Sequence, residues 1–475
     1  MNPEAINYIK SQIIRDKDRL HPYVRNGKWF FPKRHIYYRI VKYIDDFLLG
    51  QTETRWVIIP GIRGVGKTTI LAQLFFTYLK KVKNFHIIYI SVDDIITAGL
   101  NLSDILTAYE NVLGKTFESQ PDPVLLFIDE VQQDSQWASI LKSLYDRARN
   151  VFVVCTGSSA VQLQTNPDVA RRGIFEKLYP LSFSEYEMLK NNTFPTKGLK
   201  QEIKSALYES NSADEVYKRL KLLEPQILTQ WSKFKDSDID GFLSTGTLPF
   251  TLLAEQMSIY DRIGLLIDRM INKDIQELGK FDIQTLSGIK RLLFIMADVG
   301  DGLSINSVGS IIGMDRNTLS AVLEALEKAE IIIRVIPHGS NSSIVRKPSK
   351  YLFMSPAIRM SLLSITGLDE TFLVRRGKLL EDVAGLHFYR EFVSTGAGSV
   401  AYDSAQAGAD FILKIVNKKQ IAIEIGIGDK NFAQVKNTME KVKCNYGLVI
   451  CTSVSMILSE KDNVVKIPLK YFLLM

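Results

Sequence analysis

Residues 61–69 read Gly-Ile-Arg-Gly-Val-Gly-Lys-Thr-Thr, directly after an apolar run, Trp56 to Pro60, and directly before a helix-like run, Ile70 to Lys80. Strand, glycine-rich turn and helix in that order form the setting of a phosphate-binding loop. Residues without a Cβ at Gly61, Gly64 and Gly66 let backbone N–H groups close around a triphosphate, and the following helix turns its partial positive end toward it. Ile62, Arg63, Val65 and Thr69 complete the candidate loop. Lys67 is placed to reach the β- and γ-phosphates and the Thr68 hydroxyl to ligate Mg²⁺, so ATP and Mg²⁺ are the expected cofactors. A glycine turn followed by a lysine by coincidence is the competing reading, and the flanking strand and helix weaken it.

A second element narrows the chemistry. Val124 to Ile128 is a continuous apolar run ending in Asp129-Glu130, which reads as a central parallel strand with acids at its carboxyl end. Ligand chemistry in open α/β sheets gathers at that edge. Asp129 is expected to hold Mg²⁺ through water and Glu130 to polarise the water that attacks the γ-phosphate. A third strand, Val151 to Cys155, runs into Thr156-Gly157-Ser158-Ser159. Thr156 is placed either to sense the γ-phosphate or to cap the next helix. Arg171 and Arg172 are candidates for a transition-state arginine acting across a subunit interface, against a plain surface role.

Several strings together carry a family resemblance: Ile128-Asp129-Glu130-Val131-Gln132-Gln133, Trp137, Cys155 to Ser159, and Leu178-Tyr179-Pro180-Leu181-Ser182-Phe183-Ser184-Glu185-Tyr186. They resemble the prokaryotic AAA+-like P-loop ATPases, in which the core is followed by a winged helix and a degenerate restriction-endonuclease-like domain, and which are related to archaeal signal-transducing (STAND-type) ATPases. The resemblance runs from about residue 36 to 460. It implies an α/β fold with a parallel-sheet core of AAA+/ASCE type, a helical lid, a winged helix-turn-helix and a C-terminal nuclease-like α/β domain. The expected divisions are a basic and aromatic segment (1–54), core (55–182), lid (183–275), winged helix (276–366) and nuclease-like domain (367–475).

A chain of 475 residues exceeds one hydrophobic core, in keeping with several domains. The 46% hydrophobic and 23% charged content describes an ordinary globular protein. Cys155, Cys444 and Cys451 are too few and scattered for a disulfide framework or a metal site, and there is no signal-peptide core or membrane-length apolar run, so the cytoplasm is expected and a membrane is not. A net charge of +7 permits nucleic-acid contact without requiring it. Part of that excess mingles with aromatics: Lys28, Lys33, Arg34, Arg39 and Lys42 among Trp29, Phe30, Phe31, Tyr37 and Tyr38. Such a segment can track phosphates and stack bases, or dock on the core beside the adenine.

Within the lid, Gly246-Thr247-Leu248-Pro249-Phe250 matches the turn by which the resembled ATPases couple nucleotide state to the next domain; it reads equally as a loop. Helices over 287–299, 304–312 and 316–328, followed by strands 331–336 and 350–354 around a polar tip, spell a winged helix. The face of its third helix, with Asp315, Arg316, Asn317, Ser320, Glu324 and Glu327, is not basic; Arg346, Lys347 and Lys350 make the wing so. In the nuclease-like part, Glu381, Asp410 and Glu424 match the metal-binding carboxylates of the resembled domain, but Gly426 stands where its lysine belongs, and Lys430 could reach back. That pattern predicts a vestigial metal site. Two functions remain: a nucleotide-gated switch with a protein partner, or an ATPase that works on DNA through the winged helix or the C-terminal domain. A homo-oligomer suits either.

Overall fold

The computed structural model describes residues 2–83, 85–158, 167–253, 256–279, 281–299, 305–340, 346–364, 368–416 and 419–475. Ser159, Ser304 and the tip of the hairpin at 341–345, all used in reading the sequence, lie outside them. The chain divides into two compact units, residues 1–179 and 180–475.

The first unit contains a small ribbon, β1 (Arg25–Asn26) and β2 (Trp29–Phe30), and a sheet of five strands: β3 (Trp56–Pro60), β4 (Ile87–Ser91), β5 (Val124–Asp129), β6 (Val151–Gly157) and β7 (Ile174–Phe175). The sheet order is β4-β5-β6-β3-β7, parallel throughout. Runs such as Val124–Asp129 and Val151–Gly157 are buried at every residue, which continuous apolar sequence permits only when both faces are covered. Helices α1 (Pro3–Val24), α2 (His35–Leu48), α3 (Lys67–Tyr78), α4 (Val92–Thr97), α5 (Leu102–Leu113) and α6 (Trp137–Arg147) belong to this unit. Strand β6 lies between β3, which feeds the glycine loop, and β5, which carries the acid pair. That order brings Thr156 between them, as an ASCE-type core requires.

Strand β4 is an edge, and an uncovered edge offers unpaired backbone groups. Helix α1 packs against β4, and the Asp16 carboxylate accepts a hydrogen bond from the Tyr89 N–H at 3.3 Å. The first 54 residues are therefore an integral part of this unit.

The second unit begins with helices Phe183–Asn191, Leu199–Tyr208 and Ala213–Trp231. Ser182 and Glu185 cap the first of these reciprocally, so the Ser-Phe-Ser-Glu string is a helix start. Further along, helices Ile283–Val299, Ile305–Ile312 and Arg316–Lys328 precede a hairpin, β8 (Ile332–Pro337) and β9 (Lys350–Phe353). Beyond it come β10 (Gly398–Tyr402), β11 (Phe411–Ile415), β12 (Gln420–Ile425), β13 (Tyr446–Cys451), β14 (Ile457–Ser459) and β15 (Val464–Pro468). They form one sheet of order β14-β15-β13-β12-β11-β10-β8-β9. The hairpin thus extends the C-terminal sheet, through Ala401 opposite Ile336 and Tyr402 opposite Pro337.

Candidate functional site

The loop 61–66 leaves β3 and enters α3 at Lys67, with Gly64 and Gly66 at φ of 83° and 94°, a region costly for any residue with a Cβ. Thr69 lies in the first turn of α3, and Ile62, Arg63 and Val65 are buried. Gly61 carries a packing demand that the motif did not name. Its N–H donates to the Gly157 carbonyl at 3.3 Å, and a Cβ there would stand 2.4 Å from the Leu178 carbonyl oxygen. Close packing of the strand end is by itself enough to require a glycine here. The Lys67 ammonium is buried and donates to the carbonyls of Gly61 at 2.9 Å and Ile62 at 3.2 Å.

Asp129 sits at the carboxyl end of β5, where three hydroxyls converge on it. Thr68 Oγ1 donates to Oδ2 at 2.6 Å, Tyr89 OH to the same oxygen at 2.9 Å, and Thr156 Oγ1 to Oδ1. Burial first, and the neighbouring Glu130 carboxylate next, raise its pKa above the usual carboxylate range. A hydroxyl and carboxylate oxygens are hard donors, and a buried carboxylate so raised calls for a compensating cation; the set fits Mg²⁺. Thr156 is fully buried and also accepts from the Glu130 N–H at 3.1 Å. It positions both acids from behind, which neither of its two expected roles described.

Glu130 adopts φ 55° and ψ 47°, a conformation disfavoured for a residue with a side chain and held here by its surroundings. The carboxylate lies 3.4 Å from the Arg63 guanidinium and 3.7 Å from Lys67 Nζ, and accepts from Gln132 Nε2 at 2.7 Å. Gln132 Nε2 also reaches Ser158 Oγ, 2.9 Å away at the end of β6. Arg34, from the N-terminal segment, donates to the Val65 carbonyl at 3.0 Å and the Tyr179 carbonyl at 2.9 Å. Tyr89 was missed in the sequence, while Arg34 stood there only within a segment able to dock on the core, and Gln132 only within a family string. Gln132 alone left a local signal, a polar side chain one turn beyond the acids. Arg172 forks onto Asp146 of its own chain at 2.9 and 3.0 Å, while Arg171 is exposed.

In the second unit Glu381, Asp410 and Glu424 do approach one another, each beside a lysine. Lys350 Nζ is 2.5 Å from Glu381 and 3.7 Å from Asp410; Lys378 is 3.0 Å from Glu381; Lys430 is 2.8 Å from Glu424. Lys350 is only 2% exposed, so it is a buried counter-ion and not part of a phosphate-contacting wing surface. Lys430 covers Gly426, where an added Cβ would stand 2.9 Å from its Nζ. Burial, then Glu381, push the Asp410 pKa to about 8 against the pull of Lys350. Among the described residues no group of three or more His, Cys, Asp or Glu side chains could hold a metal ion. The exposed face of helix Arg316–Lys328 carries Glu324, paired with Lys328 at 2.7 Å, and Arg346 and Lys347 are exposed. No described helix is long and apolar enough to cross a membrane.

A family model described as an AAA domain matches residues 53–187, and one for a domain of unknown function matches residues 240–369. The uncharacterized protein MJ1637 of Methanocaldococcus jannaschii is 32% identical over 450 residues, covering 93% of this chain and 89% of that protein. The uncharacterized protein MJ1544 of the same organism is 20% identical over 390 residues, covering 81% and 78%. Among solved structures, the Thermotoga maritima RuvB Holliday junction branch migration motor is 17% identical with a TM-score of 0.31, covering 68% of this chain and 98% of that one. The Aeropyrum pernix ORC1 protein in complex with DNA is 12% identical with a TM-score of 0.32, covering 75% and 97%.

Proposed function

This chain belongs, with MJ1637, to the AAA+ family of P-loop ATPases, and from that premise we propose that it is a Mg²⁺-dependent ATP hydrolase working as a nucleotide-gated switch. The observation that carries the reading is the convergence of Arg63, Lys67, Thr68, Asp129 and Glu130 at one strand edge. A carboxylate shared between two loop cations is a poor base, because their charge stabilises its ionised form. ATP phosphates compete for Arg63 and Lys67, and their arrival frees Glu130 to polarise water. Bound by Thr68 and Asp129, Mg²⁺ would neutralise charge on the β- and γ-phosphates. Loop N–H groups and Lys67 hold the phosphates, Thr156 keeps the two acids aligned, and Arg171 is the arginine available to a neighbouring copy.

The output side is the helical lid at 183–275, a winged helix at 276–366 and a nuclease-like domain at 367–475. The Thr247 carbonyl accepts from the Leu181 N–H at 2.8 Å, and its hydroxyl meets Ser355 Oγ at 2.6 Å, which supports Thr247 as a relay between the lid and the segment after the wing. A helix face that is not basic favours a protein as the wing's partner. Paired with lysines, the C-terminal carboxylates support binding rather than DNA cleavage. Three free cysteines suit the reducing cytoplasm.

The test is calorimetric titration with Mg·ATP alongside a phosphate-release assay. Lys67→Ala removes charged hydrogen bonds to the phosphates, so affinity should fall about tenfold or more while the thermal midpoint stays put. Equal affinity in the variant would refute the assignment.

A further inference from the structure

Residues 19–44 contain Arg19, Arg25, Lys28, Lys33, Arg34, Arg39 and Lys42 and not one Asp or Glu. These seven cations equal the whole net charge of +7, since the other 52 Lys and Arg balance the 52 Asp and Glu. The fold absorbs part of this charge. Arg19 pairs with Asp94, Arg39 lies 2.6 Å from Glu176, and Arg34 is spent on backbone carbonyls. Arg25 and Lys28 are exposed and pair with no carboxylate among the described residues. They stand on the β1–β2 ribbon.

The same ribbon exposes Trp29 to 80% and Phe30 to 71%, the opposite of what folding selects for large aromatics. Arg25 is paired across it with Phe30, and Asn26 with Trp29. Cross-strand partners share a face, so the two rings stand on opposite faces, with Lys28 in the turn. Tyr23 and Tyr38, also exposed, flank the ribbon in sequence. A protein partner could cover the rings but would leave the cations unmatched. An anionic membrane would favour rings gathered on one face. A polyanion with flat, separable bases satisfies both features, since its phosphates meet Arg25 and Lys28 while its bases stack on Trp29 and Phe30.

We propose that the β1–β2 ribbon is a binding site for single-stranded nucleic acid, through base stacking on Trp29 and Phe30 and phosphate contacts from Arg25 and Lys28. Its base is fastened to the nucleotide loop. Gln73, on α3, donates to the Phe31 carbonyl at 3.2 Å, and Arg34 holds the Val65 carbonyl. An occupied ribbon is therefore mechanically joined to the ATP site. The proposal goes beyond the switch reading and does not depend on hydrolysis.

The experiment is fluorescence anisotropy of a labelled oligothymidylate, without nucleotide, over a range of salt concentrations. The wild type should bind with affinity that falls steeply with salt. Trp29→Ala/Phe30→Ala should lose about tenfold or more in affinity with the salt slope retained. Arg25→Ala/Lys28→Ala should lose affinity and flatten the slope by about two. All four residues are exposed, and unchanged Mg·ATP affinity and thermal midpoint will verify that the variants fold. Wild type that ignores the oligonucleotide, or variants that bind it equally well, would overturn the proposal. So would a variant whose only change is in sedimentation, or a ribbon that binds phosphatidylserine vesicles and not the oligonucleotide.

Discussion

Two buried charges in this chain make measurable demands. Asp16 is 1% exposed, and burial pushes its pKa to about 7 against the pull of the Tyr89 N–H and Arg19. Unfolded, it titrates near 4. The folded state keeps the proton that the unfolded state gives up, so the stability it favours is complete below pH of about 4 and is lost as pH rises toward 7. Asp16→Asn, which keeps an oxygen for the Tyr89 N–H, should match wild type at acid pH and exceed it by a few kcal/mol near pH 8 in urea melts. A constant difference across that range would contradict the assignment. Lys350 makes the opposite demand. Without it, Asp410 loses the lysine 3.7 Å from it, and Glu381 keeps Lys378 at 3.0 Å. Lys350→Met should cost about 3–5 kcal/mol, and adding Asp410→Asn should recover part of the loss, as a double-mutant cycle will show.

Elements were legible wherever sequence period and flanking residues agreed. The run Trp56 to Thr69 reads as strand, loop and helix, and the fold has that order; Val124 to Glu130 likewise. Lys350 shows a signal that was present and not followed. In β9 it lies two residues from Leu352, which is 1% exposed, and a period of two puts both on the inward face. Charge suggested the surface, but pairing with Glu381 and Asp410 compensates its burial. Gly61 shows the converse, a glycine whose motif position named one cause while packing against Leu178 supplied another. Tyr89 could not be read at all, and for Arg34 docking on the core was one of two readings, with its partners unnamed. Their partners lie 40 and 31 positions away, and only the closed sheet brings them together. The joining of the β8–β9 hairpin to the C-terminal sheet is non-local in the same way, since an edge strand's sequence does not name its neighbour.

At the scale of the whole molecule, the chain's own arginines limit how a second copy could complete the nucleotide site. Arg172 is committed to Asp146, so Arg171 is the residue left to complete a site on a second copy. Specific turnover should therefore rise with protein concentration, and Arg171→Ala should lower it by about a hundredfold or more with ATP affinity unchanged. A rate independent of concentration would leave both arginines as structural or surface charges. The proposed turnover depends on Glu130, a strained residue held between Arg63, Lys67 and Gln132 and released by the phosphates that compete for those cations. Glu130→Gln keeps its size and its hydrogen bond and removes its charge. Single-turnover phosphate release, measured beside Mg·ATP affinity, tests this most directly. The expected result is affinity at or above wild type and release slowed by about two orders of magnitude or more. Release within a few-fold of wild type would contradict it.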